Sequence, residues 1–356
     1  MPDTCPIFIS ARVRSGSTLL WQIYDRLPGY RAYYQPCQDN LLPHIRHTRP
    51  MASHRGVDDY WSAFRPLVGE LPRYHEPAFG ITRLMLEADE PWPALRDYLQ
   101  LLIDNCDGER PVLQFNAMCY RLPWLRRNFP DAQIMHLWRD PREHWLSVVR
   151  HLPSGLWDEP NLPDAYNVLQ TCADLSRYLP LLFSGGDTSY ARVYHLWRLS
   201  RLAGDRVADA SIQFDGDILA DPARGLGTLA QLGLLREQDL PAARACIAPT
   251  PTGKWREHHD PAWFEAIEQA CEAQLTALGL TEHFGTLPLS AIRARCPQTW
   301  DEMQATAPGL DEAMTQMLLA YSERRGECTR LLDAVRRAGG GDRWWGQLAR
   351  RLRLRA

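Results

Sequence analysis

The sequence contains no C-x-x-C pair. Its nine cysteines are scattered from Cys5 to Cys328, which supplies neither a disulfide framework nor a paired zinc site, and reduced thiols are expected. It also lacks an excess of positive charge: 40 Lys and Arg stand against 43 Asp and Glu, for a net charge of −3. Such a balance gives no overall reason to bind nucleic acid. No basic segment and no long apolar run precedes Pro6-Ile7-Phe8-Ile9-Ser10. A secretion signal and a membrane-spanning helix are therefore not expected, and a cytoplasmic location is. Internal repeats are absent, and low complexity is confined to Gly339-Gly340-Gly341. What is present, 356 residues that are 45% hydrophobic and 23% charged, suffices for one large α/β domain with additions or two modest ones.

Pro6 to Ser10 reads as a strand, followed by a polar loop and a helix from Ser17 to about Leu27. Val112 to Phe115 and Ile134 to Trp138 are short apolar runs bounded by turn residues, with a short helix over Leu122 to Asn128 between them. That β-α-β order builds a parallel sheet with helices on its faces. Pro141 opens a further helix to about Arg150, at the position where proline is best tolerated. Pro153 to Gly204 is rich in Pro and Tyr, with helix expected in its second half. A strand at Ser211 to Phe214 leads into a helix near Asp221 to Leu232.

Arg12-Val13-Arg14-Ser15-Gly16-Ser17-Thr18 follows the first strand and opens a helix. Loop amides and a helix N-terminus there converge on one spot and favour an oxyanion. A P-loop NTPase would carry G-x-x-x-x-G-K-[ST], with Lys on the phosphates and Mg²⁺ on the hydroxyl. Ser17 stands in the place of that Lys, and Arg14 offers the cation instead. The fold expected is α/β, a P-loop-like three-layer arrangement around a central parallel sheet over residues 1–287. An α-helical C-terminal appendage takes up 288–356.

The run R-S-G-S-T-L-L from Arg14 to Leu20 resembles the 5′-phosphosulfate loop of the sulfotransferases that use 3′-phosphoadenosine 5′-phosphosulfate (PAPS), particularly their carbohydrate and bacterial branch. Leu137-Trp138-Arg139-Asp140-Pro141-Arg142, with Ser147 eight residues after Arg139, is similar to that family's 3′-phosphate element. The chemistry suits the role, because a guanidinium fork pairs with phosphate and a hydroxyl adds a donor. Phe214 to Pro222 with Leu232-Gly233-Leu234, and Gly253-Lys254-Trp255-Arg256, resemble later elements that close over the nucleotide. The resemblance implies donor contacts from Arg12, Arg14, Ser15, Gly16, Ser17, Thr18, Arg139, Ser147, Lys254, Trp255 and Arg256. It implies sulfuryl transfer to a hydroxyl on a small molecule or glycan, with 3′-phosphoadenosine 5′-phosphate (PAP) as product and no metal.

Sulfuryl transfer needs an in-line hydroxyl, a base, and donors on the departing oxygen; Arg14 and the loop amides meet the last need. The resembled branch keeps its base in a Glu-Pro pair, whereas this chain reads Gln35-Pro36. A neutral amide orients a hydroxyl but does not take its proton. Asp39 and His44 are the nearest titratable residues, with Glu76 and Glu87 farther off. An unperturbed imidazole at position 44 would make the rate rise through about pH 6.5. His44 with His47 has a metal-like i, i+3 spacing but no third ligand, and no metal site is expected. The alternatives are a P-loop phosphotransferase, which the missing G-K-[ST] disfavours, and an inactive nucleotide-binding scaffold, which Gln35 favours. Trp344 to Arg355 is a basic amphipathic stretch suited to a membrane surface or a partner.

Overall fold

In the computed structural model the described residues are 5–50, 54–152, 154–159, 166–179, 181–184, 188–296 and 310–337. Ile7-Phe8-Ile9-Ser10-Ala11 forms β1 (Ile7–Ala11), with all five side chains buried. Four more strands join it, β2 (Tyr30–Tyr34), β3 (Arg110–Phe115), β4 (Gln133–Trp138) and β5 (Ala210–Gln213). The order is β2-β3-β1-β4-β5 and every pairing is parallel. Near-continuous burial along the central strands is what a sheet covered on both faces demands. The longer helices, in chain order, are α1 (Ser17–Arg26), α2 (Leu41–His47), α3 (Pro93–Asp104), α4 (Leu122–Asn128), α5 (Pro141–Val149), α6 (Val168–Leu175), α7 (Ser189–Val207), α8 (Pro222–Gln231), α9 (Pro261–Ala277) and α10 (Leu310–Arg337).

The α/β reading holds, with three differences. β3 and β4 are parallel as expected but not neighbours: Ile7 of β1 pairs with Val112 on one side and Gln133 on the other. The edge strand β2 was not foreseen. At the other edge β5 ends at Gln213, and Phe214 begins a π-helical turn, Phe214–Ala220, rather than closing the strand.

From β1 the chain runs through α1 to the β2 edge, whereas from β3 it crosses β1 to reach β4 and β5. Right-handed crossovers in opposite directions put α1 on one face of the sheet and α4 with α7 on the other. The crevice outside the carboxyl end of β1 is thus a topological switch point, where ligands bind in open α/β sheets. Helix α7 approaches the sheet closely at Gly204, where a Cβ would stand 2.1 Å from the ring of His136 in β4. A second core gathers Trp145, Tyr190 and Phe264 from α5, α7 and α9. Helix α10 lies against α2 and α6, with Met314 and Leu318 buried on Ile81. Among the described residues no helix is long and apolar enough to cross a membrane, and the basic stretch Trp344 to Arg355 lies outside them.

Candidate active site

The loop from Arg12 to Gly16 is shaped by two left-handed residues, Arg14 at φ 69° and Gly16 at φ 90°. Their alternation with ordinary residues turns successive amides to the same side and makes an anion-binding concavity. The Ser15 amide donates back to the Arg12 carbonyl at 3.2 Å. Helix α1 then starts without a side-chain cap, so its first amides open into the crevice. Gly16 is needed twice over: its φ suits glycine, and a Cβ would sit 2.4 Å from the ring of Phe214.

Arg14 reaches across the crevice and donates from Nε to Ser147 Oγ on α5 at 3.1 Å, with its guanidinium 5.0 Å from the Tyr166 ring. Burial lowers its pKa, and the nearby charges of Arg150 and Arg139 push the same way. Arg12 is only 6% exposed, and among the described residues neither its Nε nor the buried Ser15 Oγ finds a hydrogen-bond partner. Among the described residues no carboxylate pairs with Arg14, Arg150 or Lys254. Unanswered cations and orphaned donors around one concavity fit a multiply charged anion, since buried groups of this kind are costly without a partner.

Helix α5 begins at a proline, and Asp140 caps it by accepting from the amides of Arg142 and Glu143 at 2.9 and 3.1 Å. Arg139, at the end of β4, donates to Asp215 at 3.0 Å and to Glu143 at 3.4 Å. The two residues expected to act together on a 3′-phosphate are therefore differently engaged: Arg139 is held by carboxylates, and Ser147 is turned to Arg14. His144, which sequence reasoning passed over, joins α5 to the loop by a 2.8 Å bond from Nε2 to the Val13 carbonyl. Burial pushes its pKa to about 3, with Arg12 adding to the shift, so it is neutral and donates Nε2–H.

Most of the expected donor-binding residues open onto one cavity of about 940 Å³. Arg12, Arg14, Gly16, Ser17, Thr18, Arg139, Ser147 and Lys254 line it, together with Gln35, Asp39 and His44. Ser15, Trp255 and Arg256 do not. Trp255 is buried in the second core between the guanidinium groups of Arg142 and Arg256, at 4.6 and 4.3 Å.

On the far wall Gln35 follows β2 in a left-handed conformation, φ 47°, with its amide bonded to the Gln114 carbonyl at 2.9 Å. Asp39 is 4% exposed and already engaged: Oδ2 accepts from Ser322 at 2.7 Å and from Asn40 at 3.1 Å, and Arg325 stands 3.8 Å away. His44 bonds through Nδ1 to Thr48 Oγ1 and stacks on Trp61, and burial pushes its pKa down to about 4. Glu76 is exposed, and Glu87 accepts from the Leu289 amide at 2.6 Å beside a separate cavity. Neither glutamate lines the main one. Sequence reasoning missed His54, Tyr60, Asn116, Arg150 and Arg325, all on this wall or its rim. They come from four separate segments, and no local pattern announces them.

A profile described as the sulfotransferase family matches residues 6–179, the stretch that contains the loop, β1 to β4, α5 and most of the cavity wall. Residues 6–179 belong to the sulfotransferase family. This match supports an enzyme of the sulfotransferase kind, and the family implies a PAPS-type sulfate donor. Solved structures that it resembles include the sulfotransferase domain of the Synechococcus olefin synthase, 15% identical, covering 80% of this chain and 96% of that one at a TM-score of 0.35. Another is a Mycobacterium tuberculosis sulfotransferase, 15% identical, covering 82% of this chain and 76% of that one at 0.34. Neither likeness bears on the reading of the site. No curated protein matches the chain.

Proposed function

We propose that the chain moves the sulfuryl group of PAPS directly to an acceptor hydroxyl on a saccharide or saccharide-bearing metabolite, without a metal. The observation that carries this reading is Arg14: a largely buried guanidinium with no carboxylate partner among the described residues, in a nest of amides at the switch point of the sheet. In this arrangement Arg14, the loop amides and Lys254 hold the phosphosulfate and take up the charge that develops on the departing oxygen. Arg139 and Ser147 serve the 3′-phosphate, with Arg150 nearby.

The far wall supports the acceptor class. Tyr34 and Tyr60 stack at 4.6 Å, and Trp61, Tyr120 and Tyr166 add further aromatic surface. Flat rings suit the C–H faces of sugars, while the amides of Gln35, Asn116 and Asn167 suit their hydroxyls. A catalytically silent nucleotide-binding protein is the second reading, favoured by the amide at position 35.

Isothermal calorimetry tests the donor assignment. PAP should bind in the presence of a chelator, and ATP should bind much more weakly whether or not Mg²⁺ is added. Preference for Mg²⁺-ATP would overturn the sulfotransferase reading of the site in favour of a phosphotransferase. PAPS consumption then separates the active from the silent protein.

A further inference from the structure

We infer that His54 is the residue that takes the proton from the acceptor hydroxyl, an assignment that rests on the sulfotransferase reading above. The far wall offers three groups more basic than its phenols, namely Asp39, His44 and His54. Asp39 is spent on Ser322, Asn40 and Arg325. His44 lies at the Asp39 end, where Asp39 and Arg325 are the charges it senses.

His54 lies at the other end, in the segment anchored to the carboxy-terminal half of α1. The Arg55 carbonyl accepts from Gln22 of α1 at 3.1 Å, and the Gly56 carbonyl accepts from Arg26 one turn on. Gln22 is one helical turn past Thr18, which lies in the first turn of α1 just after the anion loop. Thr18 Oγ1 is 3.0 Å from Tyr34 Oη, Tyr34 stacks on Tyr60, and Tyr60 Oη is bonded to His54 Nδ1. A short chain of contacts thus fixes the imidazole beside the loop that holds the departing group, and Arg14 is the charge that reaches it.

With Nδ1–H donating to Tyr60 Oη, Nε2 carries the free lone pair. The acceptor oxygen forms its bond to sulfur as the bond from sulfur to the bridging 5′-phosphate oxygen breaks. The hydroxyl proton passes to Nε2, and PAP leaves with the bridging oxygen and its electron pair. The imidazolium then returns the proton to solvent. Burial and Arg14 hold free His54 neutral, its pKa pushed down to about 4. Bound phosphates offset Arg14 and make Nε2 more basic at the moment it is needed.

The test uses PAP, the full chain and imidazole NMR, with the His54 signal assigned by its loss in His54→Gln. Saturating PAP should raise the His54 pKa by roughly one to two units. A His54 titration that does not move in the PAP complex overturns the assignment. In parallel, PAPS consumption is followed with water and with simple sugars as acceptor. His54→Ala should lose about 10²- to 10⁴-fold, keep its PAP affinity, and recover with added imidazole. Wild-type turnover in PAP-competent His54→Ala also overturns the assignment and leaves the sulfotransferase reading intact. Failure of the wild-type chain to bind PAP would overturn that reading, and this inference with it.

Discussion

Arg14 is the residue on which donor binding turns. Replacing it with Met removes a charge-assisted pair in a semi-enclosed site, a loss of about 1.5–3 kcal/mol, or roughly 10- to 150-fold in PAP affinity; calorimetry reads it directly. Arg139→Ala should weaken PAPS more than adenosine 5′-phosphosulfate, because only PAPS carries the 3′-phosphate assigned to Arg139. Equal losses for the two ligands would remove that assignment. Lys254 offers a third check, since it is the only lysine in the chain and lines the cavity. An amine-directed acylating reagent should modify Lys254 more slowly when PAP is present, as read by peptide mass spectrometry. The cationic residues were legible in the sequence because a strand, a loop and a helix N-terminus are contiguous along the chain. The partner Asp215 was not, because it meets Arg139 only after β5 has been laid beside β4, whereas Glu143 is a local contact four residues on.

Among the elements, the loop leading into α1 has the least room for change. Gly16→Ala forces a side chain into a left-handed conformation and against Phe214 at 2.4 Å. It should cost about 1–3 kcal/mol of stability and weaken PAP binding together with it, as seen in denaturant melts and calorimetry. β2 escaped sequence reasoning for a physical reason: Tyr-Arg-Ala-Tyr-Tyr has no apolar run, and Arg31 looks like a surface residue. In the folded chain Arg31 pairs with Glu109 at 2.9 Å at the sheet edge, and the tyrosines pack inward. Helix α10 was legible as a helix, but its seat was not. Nothing near Ser322 or Arg325 in sequence points to Asp39, so the acceptor wall became visible only in three dimensions.

For the whole molecule, six histidines, four buried and two half-buried, set the response to acid. Burial pushes His44, His54, His75, His136 and His195 down to about 4 and His144 to about 3. Unfolded imidazoles titrate near 6.5, so between about pH 6.5 and 4 the unfolded chain binds more protons than the folded one, and stability falls as pH falls. Asp25 works in the opposite sense, because burial and Asp59 raise its pKa to about 6, and burial raises Asp140 and Asp174 as well, but these are three carboxylates against six imidazoles. The melting temperature should therefore drop steeply between pH 7 and pH 5, and an unchanged value would show that these rings are not neutral and buried together. The same depression moves the acid limb of turnover: neutral His44 or His54 persists well below pH 6.5, so the rise near 6.5 expected of an unperturbed imidazole should be missing. The bond from Ser322 to Asp39 spans 283 positions along the chain. At about 5–20 residues per second, a ribosome needs on the order of 15–60 seconds to add those residues. Throughout that interval the emerging polypeptide already has its phosphate loop but still lacks the helix that answers Asp39, so the loop that starts the donor crevice is made long before the pocket opposite it can close.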